Sequence, residues 1–298
     1  MSAAGIKNLG VGLGLRRENV DDLLARFPAE LDCLEIAPEN YMKTGGKLYR
    51  QYRELAERYP VAIHGLSLSV GSLHPLSRKF LKELKVFLKE ARALWMSDHL
   101  CYSSVLGAQF HDLLPLPLSR EAIRHVVPRI RQVQDYLEMP FAIENVSYYA
   151  SAGKDEMPEW EFLREVAERA DCSLLLDVNN IYVNAVNHGF DPYEYLRDLP
   201  YERVLHIHVA GHIQYQDFLL DTHGAPVIDP VWDLLRYVAK RARPKAVIIE
   251  RDHNLPVLEE SLAEVATAKR IFAEARAPRT APRPRPSAGA LRAAGGAR

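Results

Sequence analysis

Short apolar runs rich in β-branched residues alternate along the chain with longer segments whose apolar positions recur every three or four residues. That alternation predicts strand–helix repeats around a parallel sheet. Eight such runs fall near residues 9–15, 32–37, 61–68, 94–101, 140–146, 173–179, 203–210 and 245–251. Helices are predicted near 19–27, 47–58, 76–93, 119–137, 159–169, 192–198, 230–241 and 257–274, several opened by a capping residue such as Ser119, or Asp229 before Pro230. Eight βα repeats in about 275 residues match a closed (β/α)8 TIM barrel in count and in length. An open doubly wound sheet would carry a GxGxxG phosphate turn after its first strand. Gly10-Val11-Gly12-Leu13-Gly14-Leu15 has alternate glycines instead.

At 48% hydrophobic and 26% charged residues, the composition excludes a disordered or fibrous chain. No apolar run approaches the roughly 18–20 residues of a membrane helix, and the first glycine-broken run lacks the basic flank of a signal peptide, so no membrane association and a cytoplasmic location are expected. Cys33, Cys101 and Cys172 lie far apart in apolar runs and read as core, not as a disulfide framework or a thiolate metal site. The overall charge of −1 conceals an uneven distribution. Residues 277–298 hold five arginines, four prolines, three glycines and no acid, and are expected to form a disordered tail behind a single catalytic barrel at 1–276. Removing that +5 leaves the barrel near −6, which argues against nucleic acid as substrate.

In a barrel the chemistry sits at the C-terminal strand ends, and there the unusual polar residues recur in run after run. The third run ends in His64, the fourth in Asp98-His99, the fifth in Glu144-Asn145 and the sixth in Asp177-Val178-Asn179-Asn180. The seventh carries His206 and His208 and leads to Asp221-Thr222-His223, and the eighth ends in Glu250. Glu144, Asp177, Asp221 and Glu250 converging on one mouth would repel by about 4 kcal/mol per pair at 4 Å in a medium of dielectric near 20. Either their pKa values rise or cations sit among them. The interspersed imidazoles favour cations, with zinc, manganese and iron all compatible with such a donor set.

The order and spacing of these residues resemble the trinuclear metal sites of xylose-isomerase-like barrels, including the zinc apurinic endonucleases. The wider motifs Glu35-Ile36-Ala37-Pro38-Glu39-Asn40-Tyr41, His64-Gly65-Leu66-Ser67, Ser97-Asp98-His99, Glu144-Asn145-Val146-Ser147, Asp177-Val178-Asn179-Asn180, His206-Ile207-His208-Val209-Ala210-Gly211-His212 and Asp221-Thr222-His223-Gly224 span almost the whole barrel. Together they look like the multinuclear non-haem iron-dependent oxidative enzymes, long grouped as a family of unknown function. The resemblance implies one metal on His64, His99 and a bridging Glu144, and a second on Glu144, Asp177, His208 and Glu250. A third would lie on Asp221, His223 and Asn180, where the endonucleases have histidine; the asparagine is common in the branch this chain resembles. It further implies two or three iron ions of mixed Fe(II)/Fe(III) state, O2 as co-substrate, and oxidation of cysteines in a ribosomally made precursor peptide, as in methanobactin-type chelators, with a partner protein delivering the peptide. Glu144, Asp177, His208 and Glu250 would then be the catalytic residues. A zinc phosphodiesterase and a sugar isomerase or epimerase on the same barrel are the alternatives.

The remaining polar residues divide more simply. His206, one layer deeper than His208 on the same strand face, is expected to support the site without binding metal. His212 is expected to contact substrate or complete the third site, and Asn145 and Asn179 to orient ligands. Asp98 is expected to pack against a helix. Glu35, Asn40 and His111-Asp112 are expected to line a peptide channel, with Tyr148, Tyr149 and Tyr182 either beside a bound peptide or in the core.

Overall fold

The structure is a computed structural model and describes residues 5–105, 108–150 and 155–277. The tail expected at 277–298 lies outside the described residues from residue 278 onward, as does the side chain of His111. In chain order the strands begin β1 (Gly10–Gly14), β2 (Cys33–Ile36), β3 (Val61–Gly65) and β4 (Met96–His99), followed by a hairpin of β5 (Tyr102–Val105) and β6 (Ala108–Leu114). Next come β7 (Phe141–Glu144), β8 (Ser173–Asp177) and β9 (Val204–Val209), then a second hairpin of β10 (Ile213–Tyr215) and β11 (Phe218–Leu220), and last β12 (Ala246–Ile249). Eight of these strands close a parallel barrel in the order β1-β12-β9-β8-β7-β4-β3-β2. The (β/α)8 expectation is met strand for strand.

Helices α1 (Val20–Arg26), α2 (Gly46–Arg58), α3 (Arg78–Glu90), α4 (Arg120–Leu137), α5 (Glu159–Ala170), α6 (Val178–His188), α7 (Pro192–Arg197), α8 (Asp229–Ala239) and α9 (Leu258–Arg276) surround the barrel. Ser119 caps α4 as expected, its hydroxyl accepting from the Ala122 N–H. Asp229 does not cap α8: it is the first helical residue, with Ile228 at the cap position.

Three features went unread in the sequence: both hairpins, and α6, whose first residues look like a continuation of β8. Asn179, Asn180 and Asn184 are poor helix formers, so local preference argues against a helix there. Tertiary partners reverse it. The Asp177 carboxylate caps the helix by accepting from the Asn180 N–H at 2.7 Å, and Asn184 donates to Val146 O and accepts from Tyr148 N, each at 3.0 Å.

The barrel interior is layered with the period of two that a strand imposes. Its floor is an apolar plug to which the strands contribute Cys33, Ala62, Ala142, Leu175, Leu205, Ala246 and Ile248, joined by Trp95 just before β4. The space is tight: a Cβ on Gly12 would lie 2.1 Å from the Cys33 carbonyl oxygen. Two residues beyond these plug positions, on the same faces, come Glu35, His64, Ser97, Glu144, Asp177 and Glu250. A larger apolar core packs the helices onto the outside of the strands. The three cysteines are free and buried, as expected. Among the described residues no helix is long and apolar enough to cross a membrane.

Candidate metal centre

Parallel register brings the strand-end residues together. His99 pairs with Glu144, and Asp177 with His208, across neighbouring strands. His64 Nε2 and His99 Nε2 lie 3.1 Å from Glu144 Oε2 and 3.2 Å from each other. The other oxygen of the same carboxylate, Oε1, lies 3.3 Å from His208 Nδ1, which is 2.9 Å from Glu250 Oε2. His223 Nε2 stands 2.8 Å from Asp221 Oδ1 and 3.9 Å from Asp177 Oδ2, while its Nδ1 is 3.3 Å from Glu250 Oε2. Among the described residues four groups of metal-competent atoms lie within 4.8 Å of one another; three stand at the mouth, namely His64, His99 and Glu144; Glu144, Asp177 and His208; and Asp177, His223 and Glu250, and the fourth is Glu35, His206 and His208.

Apart from the His64–His99 contact, which meets hydrogen-bond geometry, these contacts are ligand-like. Glu144 Oε2, Asp177 Oδ2, Asn180 Oδ1, His208 Nδ1 and His223 Nε2 are all buried without a hydrogen-bond partner, an arrangement that costs about 1–3 kcal/mol per atom unless something else satisfies it. Ligands bound to an ion at about 2.1 Å lie roughly 3.0–3.4 Å apart, the spacing found between His64, His99 and Glu144. The tautomers agree. The Ser97 hydroxyl donates to Ile63 O, so at 3.1 Å it accepts from His64 Nδ1–H and leaves Nε2 with a lone pair.

Electrostatics point the same way. Burial works against charge on Glu144, but His99, His64 and His208 outweigh it and hold the carboxyl well below the usual range. Burial, with Asp221 and Glu144 nearby, pushes Asp177 up to about 8 against the opposing pull of His223 and His208. A carboxyl left protonated at neutral pH beside unpartnered imidazole nitrogens is the condition a cation relieves. His99 rises to about 9: burial opposes its charge, and Glu144 and Asp98 override it. The donor set fits a multinuclear centre of ions that accept imidazole and carboxylate together.

The expected site residues His64, His99, Glu144, Asp177, His208, Asp221, His223 and Glu250 all gather at this mouth. Asn180 is there as well, its amide nitrogen donating to Asn145 O and its oxygen unpartnered. Asn145 clamps the Asp177 backbone with two bonds of 3.0 Å, and Asn179 links Asp221 to His212. Asp98 departs from expectation: it accepts from the Leu68 N–H and so holds the loop after β3, not a helix. Glu35 is only 2% exposed and lies against His206 and His208 inside the barrel, so it lines no channel. Arg16 and Asp252, which stand at the ends of the first and eighth runs, had no role assigned from the sequence. Arg16 bonds Glu250 at 3.0 Å and pairs with Asp252, which also lies 3.1 Å from His223 Nδ1. The signal for Glu35 was visible as an acid inside an apolar strand; Arg16 and Asp252 were visible as charged residues at the ends of two runs, with nothing local to pair them.

The fold is a closed (β/α)8 barrel with candidate metal-binding groups at its mouth, and solved neighbours of xylose-isomerase-like type share that fold. The structure aligns with an L-ribulose 3-epimerase at a TM-score of 0.55 and 12% identity over 92% of this chain and 94% of that one. It aligns with a xylose isomerase domain protein from Planctomyces limnophilus at 0.54 and 14%, covering 91% and 98%. At such identities the likeness is one of fold. Over residues 10–273 the chain matches the family described as RiPP precursor modification enzyme MbnB/TglH/ChrH, and it belongs to that family. Its relatives include a UPF0276 protein of Shewanella loihica, 49% identical over 86% of this chain and 91% of the relative. Another, from Caulobacter vibrioides, is 45% identical over 90% and 95% respectively.

Proposed function

We propose that the chain is a multinuclear iron enzyme that uses dioxygen to oxidise cysteine residues of a ribosomally synthesised precursor peptide delivered by a partner protein. The observation that carries this reading is the shared Glu144 carboxylate, one oxygen facing His64 and His99 and the other facing His208. A carboxylate so placed couples two ions at close range, and paired iron would supply thiolate binding and the removal of electrons to dioxygen. His64, His99 and Glu144 would hold one ion; Glu144, Asp177, His208 and Glu250 would hold its neighbour. Asp221, His223 and the Asn180 amide oxygen form a third, weaker donor set.

The protein contributes no thiolate of its own: burial raises the thiols of Cys33, Cys101 and Cys172. A sulfur ligand must therefore arrive with the substrate. Ser97 fixes the His64 tautomer, and Arg16 neutralises Glu250 from outside the donor group. At the rim the hairpins expose Val105, Phe110, Ile213 and Tyr215, apolar surface of the sort a peptide or its carrier covers.

Anaerobic reconstitution with Fe(II), followed by cysteine-containing peptide and oxygen, tests the reading. A peptide mass change that requires iron, oxygen and the peptide's cysteine is expected. Zinc retention with oxygen-independent phosphodiester cleavage, or sugar epimerisation, would replace it with one of the alternatives.

A further inference from the structure

One buried carboxylate of the barrel interior stands apart from the donors at the mouth. Glu35 on β2 reaches across the interior to β9, where its Oε1 and Oε2 lie 3.0 and 3.1 Å from His208 Nε2. All three partners, Glu35, His206 and His208, are sealed from solvent. We infer that Glu35 is a positioning residue for the metal centre: its carboxylate accepts the hydrogen bond from His208 Nε2–H and so commits Nδ1 to the donor group of Glu144, Asp177 and Glu250. The inference rests on the metal reading above but on no particular metal or reaction.

The two faces of the imidazole decide the direction. A neutral ring has one N–H, and the Nε2 contact with Glu35 meets hydrogen-bond geometry. The Nδ1 face lies 2.9 Å from Glu250 and 3.3 Å from Glu144 yet has no hydrogen-bond partner. The opposite tautomer would set a bare Nε2 lone pair against a buried carboxylate. A carboxylate behind a ligating histidine fixes ring and tautomer together, and removing such a partner weakens metal affinity by about 10–100-fold.

His206 does not compete for this task. Its Nε2 is 3.2 Å from Glu35 Oε2 without hydrogen-bond alignment, and its ring packs edge-on to Trp95 at the top of the apolar plug. Glu35, His206 and His208 also lie close enough together to hold an ion themselves. That arrangement would need His208 Nε2 as ligand, so one measurement separates the two cases.

The test uses Zn2+ as probe, titrated into the full chain against a competing chelator. Glu35→Leu is expected to weaken one class of site about 10–100-fold and leave the site of His64 and His99 intact. Glu35→Gln, whose amide oxygen can still accept from Nε2–H, should lose less. His206→Asn should leave the stoichiometry unchanged. In the zinc-loaded wild type, long-range 1H–15N spectra should show His208 protonated on Nε2, a readout that needs no variant to fold. Wild-type affinity in folded Glu35→Leu, zinc on Nε2 of His208, or one equivalent lost in His206→Asn would overturn the inference. Because zinc binding is independent of oxygen, failure here leaves the cysteine-oxidation reading standing, and a peptide that is never oxidised leaves this one standing.

Discussion

Glu144 and His99 act at the scale of single atoms, and their removal separates two kinds of loss. His99→Ala deletes one imidazole from the His64 group and is expected to cost that ion while the neighbouring ion stays, since His99 touches only the first donor set. Glu144→Ala strips a donor from both groups and should empty both. Metal analysis after desalting, with circular dichroism as the control for fold, checks each; a variant that keeps its full metal complement removes that residue from the ligand set. A second residue-scale prediction concerns Glu159, away from the centre. Its carboxyl end accepts bonds from Tyr195 and Asn184, and burial pushes its pKa up to about 8. A carboxyl whose folded pKa lies above its unfolded value is favoured neutral in the fold. Its penalty is absent below the unfolded pKa, grows as pH rises toward 8, and is constant above that. Glu159→Gln should therefore flatten the fall in stability between about pH 5 and 8, by at most about 1.4 kcal/mol per pH unit, in denaturant unfolding at both ends of the window.

At the scale of elements, the junction of β8 and α6 performs two tasks with one side chain. Asp177 Oδ1 caps the helix while Oδ2 faces the metal donors. The two substitutions at this position should come apart. Asp177→Asn keeps an acceptor for the cap and loses the charged ligand, so the metal-free protein should unfold near the wild-type temperature and bind metal poorly. Asp177→Ala loses both, with about 1 kcal/mol of further destabilisation from the missing cap. Thermal melts in chelator, set beside metal content, distinguish them; equal melting temperatures for the two variants would show that the cap contributes nothing. This junction also marks where sequence reading stopped. The strand, its terminal acid and the nearby asparagine were all legible, because strand period and residue type are local. The helix was not, because its asparagines are satisfied by the segment 146–148 of another strand's loop.

For the whole molecule, the candidate centre draws its donors from six barrel strands and one loop at a common mouth, so ions bound there would resist unfolding of the entire barrel. Bound ligand at 100 times its Kd stabilises by about 2.7 kcal/mol per site. Adding Zn2+ or, without oxygen, Fe(II) should raise the melting temperature by several degrees, and chelator should return it to the metal-free value. The same melts on Glu144→Ala should show little rise, which ties the stabilisation to this mouth and not to adventitious binding elsewhere.

The sequence alone determined the barrel, its strand positions and the candidate metal-binding residues at the strand ends, because periodicity places side chains on one face or the other and strand ends in this fold open onto one mouth. Histidines and acids at those ends were visible without coordinates. Tertiary structure decided which nitrogen of each imidazole faces the site, that one Glu144 carboxylate serves two donor groups, and that Glu35, Arg16 and Asp252 stand behind the ligands. Those facts depend on distances between residues as many as 236 positions apart, such as Arg16 and Asp252, and on hydrogen-bond directions that no local pattern encodes.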